Sequence, residues 1–382
     1  LQLIVVSTDK SAVLDARDKL WDEGLYGQVV VHHFSSMSKL NYTERSFNLV
    51  TSAKGINASK WKKWVRPNTG IVMSKSDAQP LYKAAAVKGA GSWNHMYGNS
   101  GNTACSGDEV VGSSLELQWF GRPGPEYIMD RHLRPPPALV HNGIMAVPGR
   151  DYLICVDTWN GTILWEKPVK NFQRTGAYRD SGNMVMREDY LYCVTGDGCK
   201  VFDLFTGEEK LSLPVQGEDH EWGYVASVGK GLVGSAVKKG GVYRETSFNA
   251  IYENNYGDKT KVTCSDFLFA KDRHTGKTFW KYQPQGVIIN PSIALSDKYA
   301  IFVESANTAT LGKKTARFDF PELVQQKGAQ IVAVDLKNGR KVWSQKLKSK
   351  GDVRTLHLIC EKNNLVLVYS HNSVAKGAEK KT

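Results

Sequence analysis

At 382 residues the chain is long enough for two domains or one large one, and its 41% apolar and 23% charged content is that of an ordinary globular protein. No apolar run approaches the ~18 residues of a membrane-spanning helix, which excludes a helical span. The formal charge is +12, but residues 1–90 carry 13 Lys+Arg against 7 Asp+Glu and the remainder 37 against 31. The excess is spread along the chain rather than gathered into the patch that nucleic-acid binding requires, so no nucleic-acid partner is expected.

Residues 1–78 alternate strand and helix. Leu1 to Val6 reads as a buried strand, Ser11 to Trp21 as an amphipathic helix with Val13, Ala16, Leu20 and Trp21 inward, and Gly24 as its end. Gln28 to His33, Phe47 to Ser52 and Gly70 to Ser74 read as further strands, with a helix over Ser59 to Val65. Strand alternating with helix argues a parallel sheet. His32 and His33, adjacent on one strand, point to opposite faces and cannot share a metal. Lys60-Trp-Lys-Lys-Trp-Val-Arg66 interleaves base and aromatic, yet Trp61, Trp64 and Val65 fall on one helical face, the pattern of a helix packed on a sheet. The chain opens without Met inside an apolar strand, so any signal peptide is expected to lie outside it.

Residues 79–92 read as an Ala/Gly-rich linker, and Trp93-Asn-His-Met-Tyr-Gly-Asn-Ser-Gly-Asn-Thr103 opens the second domain, expected over 93–375 with a polar tail at 376–382. Leu115 to Phe120 reads as a strand. The Gly/Pro-rich loop from Gly121 to Pro137 holds Arg131 and His132, the candidate ligand-binding pair, because loops carry function on rigid scaffolds.

From there one grammar repeats: Asp, Gly four residues later, Trp eight residues later. It appears as Asp157, Gly161 and Trp165, as Asp203, Gly207 and Leu211, as Asp272, Gly276 and Trp280, and as Asp335, Gly339 and Trp343. Each copy follows a short apolar run and so reads as strand, tight turn, strand. The Asp carboxylate can accept from turn N–H groups, the Gly supplies positive φ, and the Trp on the returning strand can wedge between neighbouring sheets. Leu211 marks the weakest staple. A repeated hairpin implies a repeat architecture, here a β-propeller of four-stranded blades, with insertions around Lys238 to Lys261 and Asn307 to Lys327. Trp222-Gly-Tyr224 with Gly231 to Ser235, and Ile288 to Pro291 with Ala300 to Val303, supply strand pairs of the third and fourth blades. Leu365 to Tyr369 belongs to a partial fifth.

The six cysteines form no CxxC, CxxCH or zinc spacing. Buried apolar cysteine is the favoured reading of Cys155, Cys193, Cys264 and Cys360, with a Cys193–Cys199 disulfide across a hairpin as the alternative.

Phe269-Ala-Lys-Asp-Arg-His-Thr-Gly-Lys-Thr-Phe-Trp280 and Ile331 to Trp343 resemble the tryptophan-docking repeat of the pyrroloquinoline-quinone-type propellers. The resemblance implies a mainly β, seven- or eight-bladed ring, of which about four to five blades are present. Residues 1–78 resemble the later part of a class I S-adenosylmethionine methyltransferase domain, a partial α/β Rossmann-like unit. The residues that carry this are Asp9, Arg17 and Leu20, Gly24-Leu-Tyr-Gly27, Ser46-Phe-Asn-Leu-Val50 and Val65-Arg-Pro-Asn-Thr-Gly70. The Gly-rich first strand of that family is absent, and its ribose-binding acid falls on Ser7. The combination resembles planctomycete-type bacterial proteins that join both modules.

Three functions follow. A non-catalytic propeller, binding a protein or polymer on one face outside the cytoplasm, periplasmic in a bacterium, needs no special residues and no cofactor; scaffold propellers of outer-membrane assembly share the repeat and bind no quinone. A quinoprotein dehydrogenase would hold the quinone and Ca²⁺ on the axis, with Asn290 and Glu304 as oxygen ligands to consider. A methyltransferase would bind S-adenosylmethionine in the first unit. The first is the expectation, with no catalytic residue and no metal ligand assigned.

Overall fold

The computed structural model describes residues 2–52, 55–129, 134–215, 217–246, 261–349 and 352–372. Arg131 and His132, the candidate ligand pair, lie outside the described residues. The chain divides into two units, Leu1–Ala85 and Ala86–Thr382, each taken by itself.

In the first unit β1 (Leu3–Ser7) leads through α1 (Lys10–Asp22) to β2 (Val29–His33), which lies parallel to β1. Asp9 caps α1, its carboxylate accepting from the Ala12 N–H at 3.1 Å, and Gly24 follows the helix at φ +67°. The helix lays Val13 against the sheet. Trp21, expected inward, is 74% exposed, because it sits in the last turn, where its ring neighbour is Tyr26. A second parallel pair, β3 (Leu49–Ser52) and β4 (Ile71–Ser74), is joined through α2 (Ala58–Trp61). The helix expected over Ser59 to Val65 ends at Trp61; Trp64 and Val65 are buried in the turn and bridge that follow it, Val65 bridging Phe47, while Lys60, Lys62 and Lys63 face solvent. β5 (Tyr82–Lys83), inside the expected linker, pairs antiparallel with β4.

The second unit is mainly β. Its first blade is β6 (Leu139–His141), β7 (Ile144–Pro148), β8 (Tyr152–Asp157) and β9 (Ile163–Pro168); its second is β10 (Met184–Met186), β11 (Tyr190–Val194), β12 (Gly198–Asp203) and β13 (Glu209–Pro214). The third runs β14 (His220–Val228), β15 (Gly231–Lys238), then, after β16 (Val262–Ser265), β17 (Phe267–Asp272) and β18 (Thr278–Tyr282). The fourth has β19 (Ile288–Ile289) and β20 (Ala294–Leu295) innermost, then β21 (Tyr299–Ser305) and, after β22 (Arg317–Phe318), β23 (Ala329–Asp335) and β24 (Lys341–Lys346). β25 (Asp352–Glu361) and β26 (Asn364–Asn372) form a fifth, two-stranded sheet. Every pairing within these blades is antiparallel, the up-and-down construction of propeller blades. The expected insertion after Asn307 holds β22 and a helical turn, Pro321–Gln325.

The repeat explains how neighbouring blades adhere. Gly161, Gly207, Gly276 and Gly339 stand at φ +72°, +69°, +73° and +71°, each donating its N–H to the carbonyl of the repeat Asp at 2.8–2.9 Å. The carboxylates accept from the turn: Asp203 from Phe205 and Thr206, Asp272 from His274 and Thr275, Asp335 from Lys337, Asp157 from Trp159. Trp165 donates its Nε1–H to Leu204 O at 3.0 Å, and a Cβ on Gly207 would stand 2.4 Å from its ring. Trp280 does the same to Leu336 O and Gly339, at 2.7 Å in both measures. The indole therefore lies flat on the bare Gly of the next blade and bonds to the carbonyl that follows its Asp.

Three expectations change here, and the disulfide alternative falls while the buried-cysteine expectation holds. Trp343 is 37% exposed against 8% and 6% for Trp165 and Trp280, because the fifth sheet, among the described residues, has no outer Asp–Gly turn for it to lie on. Leu211 keeps the register of the tryptophans, pairing with Val201 as Trp165 pairs with Cys155, yet Leu213 is the side chain that reaches Gly276. Leu115 to Phe120 forms no strand, although Trp119 within it occupies the docking position on Gly161 and donates to Thr158 O at 2.7 Å. Cys193 and Cys199 are both free: Cys193 pairs with Lys200 and Cys199 with Val194, so the two are one step out of register and lie in cores on opposite faces of the blade.

Candidate functional site

The axis of the second unit is occupied by its own chain. Trp93 exchanges two backbone hydrogen bonds with Val140 of β6, at 2.7 and 2.8 Å, and Asn94 O accepts from Met186 N in β10. His95 Nε2 accepts from Ser227 N in β14 at 3.1 Å. Ser100 O accepts from Leu295 N in β20 and Gly101 O from Cys360 N in β25, while the Asn102 amide donates to Ile293 O and Leu358 O. One ten-residue stretch thus touches all five sheets in chain order. We call it the hub.

Its residue choices follow from the job. Five strands meeting at an axis leave inner-edge N–H and C=O groups without ladder partners, and buried groups of that kind must be satisfied. A polar, aperiodic segment does so where a sixth strand could not, because it has to turn between bonds. Asn99 Oδ1 accepts from Gly101 N and Thr103 N, Gly98 and Asn102 take positive φ, and a Cβ on Gly101 would stand 2.1 Å from Cys360 O.

His95 is buried. Because its Nε2 accepts from a backbone N–H, the proton sits on Nδ1, which donates to Asn94 Oδ1 at 2.6 Å. Burial, with the Arg187 charge nearby, holds its pKa down to about 3. A His kept neutral in the folded state and protonated in the unfolded one stabilises the fold above about pH 6.5, and the contribution is lost as pH falls toward about 3. His141 and His357 are shifted the same way by burial. Urea melts between pH 7 and pH 4 are expected to show stability falling by up to about 1.4 kcal/mol per pH unit from His95, and His95→Gln should flatten the slope.

Beside the hub lies a second buried layer. The Arg174 guanidinium donates to Ser181 Oγ and O, Gly182 O, Gly223 O and Trp222 O, with its Nε 3.7 Å from Asp180. Asp180 accepts from Tyr243 N at 3.2 Å, and burial pushes its carboxyl above the ordinary range against the pull of Arg174. Asn290 donates to Asp180 at 3.5 Å and accepts from Ser265, which bonds Ser235, which in turn accepts from Tyr224 N. The layer ties the second, third and fourth blades together.

Between hub and polar layer, lined by His95, Tyr97, Asn102, Ser181, Tyr224 and Asn290 among others, the free space is about 20 Å³, enough for one water molecule. Pockets for drug-sized ligands and cofactors run to roughly 300–1,000 Å³. The space between the hub and this layer is therefore smaller than a tricyclic quinone. The two oxygen ligands considered from the sequence are not brought together either: Asn290 belongs to the axial layer, whereas Glu304 is engaged by Tyr282 OH and the Gln330 amide. No group of three or more His, Cys, Asp or Glu is placed to hold a metal among the described residues.

No family model matches the chain, and no curated protein matches it. Solved structures do. The chain is similar to a europium-containing methanol dehydrogenase at 14% identity and a TM-score of 0.45, over 74% of this chain and 55% of that one. It is similar to the quinohemoprotein alcohol dehydrogenase from Comamonas testosteroni (15% identity, TM-score 0.36, 61% of this chain and 39% of that one) and to BamB from Moraxella catarrhalis (14%, 0.34, 62% and 61%). It spans less than two thirds of the length of each. The propeller-type reading here rests on the blades and docking contacts themselves.

In the first unit, the residues carrying the methyltransferase resemblance serve local structure. Ser7, at the ribose-acid position, accepts the Asp9 N–H through its hydroxyl, and the Asp9 carboxylate caps α1. The Arg17 Nε donates to Val31 O. His32 Nδ1 lies 2.7 Å from Tyr42 OH, while His33 is exposed on the other face.

Trp119 and the hub are what sequence reading missed. Trp119 had one usable signal: it precedes Asp157 by the same 38 positions that separate Trp165 from Asp203. The hub was marked only as the motif Trp93 to Thr103 that opens the second domain, with no signal that it bonds five sheets.

Proposed function

We propose that the second unit is a non-catalytic binding module that holds a protein or polymer on a propeller face, outside the cytoplasm. The hub carries this reading: the space where an axial cofactor would sit is spent on fastening five sheets. What remains for recognition is the outer surface. The connection between β21 and β22, residues 306–316, adds exposed loop surface to the scaffold of short, rigid blades. No catalytic residue is assigned, and the extracytoplasmic setting is what the repeat's resemblance implies. Among the described residues no helix is long and apolar enough to cross a membrane.

The competing readings predict cofactor binding. Calorimetric titration of the chain with pyrroloquinoline quinone plus Ca²⁺, and separately with S-adenosylmethionine, is expected to give only heats of dilution. Micromolar or tighter binding of the first would move the function to a quinoprotein dehydrogenase, and of the second to a methyltransferase.

A further inference from the structure

The residue that follows each hub-bonded strand position is His141 in the first blade, Arg187 in the second, Val228 in the third, Ser296 in the fourth and Glu361 in the fifth sheet. Neighbouring blades thus bring two bases to one rim of the hub. His141 and Arg187 both stand close enough to His95 to oppose its protonation. Both ring nitrogens of His141 and the Nε of Arg187 are closed off from solvent, and none has a hydrogen-bond partner among the described residues. Glu188 lies across the pair. Its two carboxylate oxygens stand 3.9 Å from His141 Nε2 and 3.4 Å from Arg187 Nε, ion-pair distances too long for good hydrogen bonds, and its side chain is 55% exposed. It screens the two bases without satisfying them.

Buried polar nitrogens in native proteins are nearly always paired, so three orphans beside one another call for an occupant. Its chemistry follows from theirs. The Arg187 guanidinium offers N–H donors in a planar fork that matches a carboxylate, and His141, whose pKa burial holds below its ordinary value, adds one N–H as a neutral ring. The pair therefore carries a single positive charge, with Glu188 beside it. A monoanion suits that balance better than a phosphate dianion. The other three rim positions bring no cation, so a polyanion would gain one contact only, whereas an isolated acidic side chain needs no more.

We propose that His141 and Arg187 form a carboxylate-binding site at the rim of the hub, filled by an acidic side chain of a protein partner as Glu188 swings aside. The site deepens the function proposed above by naming the face, that of the β6–β7 and β10–β11 turns, and the contact chemistry. It rests on that reading only for the carrier of the carboxylate.

NMR of the full chain tests it, following Arg187 Nε–H and His141 Cε1–H while sodium acetate is added at constant ionic strength. Saturable shifts of both are expected. Glu188→Gln removes the competing carboxylate and should bind acetate about two- to fivefold tighter. Arg187→Gln should bind it about tenfold or more weaker, having lost a charged donor. Because Glu188 is exposed, Glu188→Gln keeps the fold and decides the matter even if Arg187→Gln melts early. No saturable shift in Glu188→Gln, undiminished binding by a folded Arg187→Gln, or tighter binding of phosphate than of acetate would overturn the site and leave the nitrogens to water. A capped Gly-Glu-Gly peptide should move the same two groups at least as strongly as acetate. Acetate binding that the peptide fails to reproduce would overturn the protein carrier, and with it the protein-binding reading of this face, while the site itself stood.

Discussion

Trp165→Ala and Trp280→Ala are each expected to cost about 3–5 kcal/mol, and Trp343→Ala less than about 1 kcal/mol, in denaturant melts of otherwise identical chains. The three residues occupy the same place in the same repeat, so propensity and strand register do not separate them. What separates them is the neighbour. Trp165 and Trp280 are 8% and 6% exposed, each closing over a Gly and bonding a carbonyl, buried at Leu204 and part-buried at Leu336, so truncation leaves both a cavity and an unpaired acceptor. Trp343 is 37% exposed and loses little. The complementary change, Gly207→Val, drives a β-branched side chain into the Trp165 ring at positive φ and should cost at least as much as losing the indole. Leu211→Trp should bring no gain, since Leu213 already fills the space at Gly276. Equal losses at all three tryptophans would contradict this reading of the docking contacts.

The repeat was legible because its physics is local. Asp accepting from the N–H two residues on, and in two copies also from the one after it, Gly at positive φ and an aromatic on the return strand are decided within nine residues, and all four turns form as spaced. Whether the aromatic is a staple is decided elsewhere, by what the following sheet offers it. Trp343 has the motif without the seat, and Trp119 has the seat without the motif, since no Asp and Gly stand at its proper offsets. Leu213 displaces Leu211 for a related reason: two residues on one strand face can both approach the next blade, and register alone does not choose between them.

In the first unit the alternation of strand and helix argued one parallel sheet, whereas the structure has two parallel pairs in separate sheets, the second extended by an antiparallel strand. Trp21 went astray because helical periodicity marks a face and not how far the covering sheet extends. The Cys193–Cys199 alternative failed on a one-residue register step, which no spacing rule detects. The axial site was the least legible. Hub residues are polar, Gly-rich and aperiodic, the signature of any loop, and their partners lie 47 to 259 positions away in sequence. Only the assembled blades give those residues meaning.

The hub is the central structural claim, and Gly101 is its most sensitive point. A Cβ at 101 would stand 2.1 Å from Cys360 O, a backbone atom that cannot yield without withdrawing β25 from the axis. Gly101→Val is therefore expected to cost on the order of 3 kcal/mol or more and to free the fifth sheet first. Native-state hydrogen exchange tests this directly, on the amides that donate to the hub: Val140, Met186, Ser227, Leu295 and Cys360. In the wild type all five should exchange only with global unfolding, and in Gly101→Val the Cys360 amide should exchange earliest. Independent exchange of these amides within minutes in the wild type would contradict a shared axial fastening and reopen the axis as a place for a ligand.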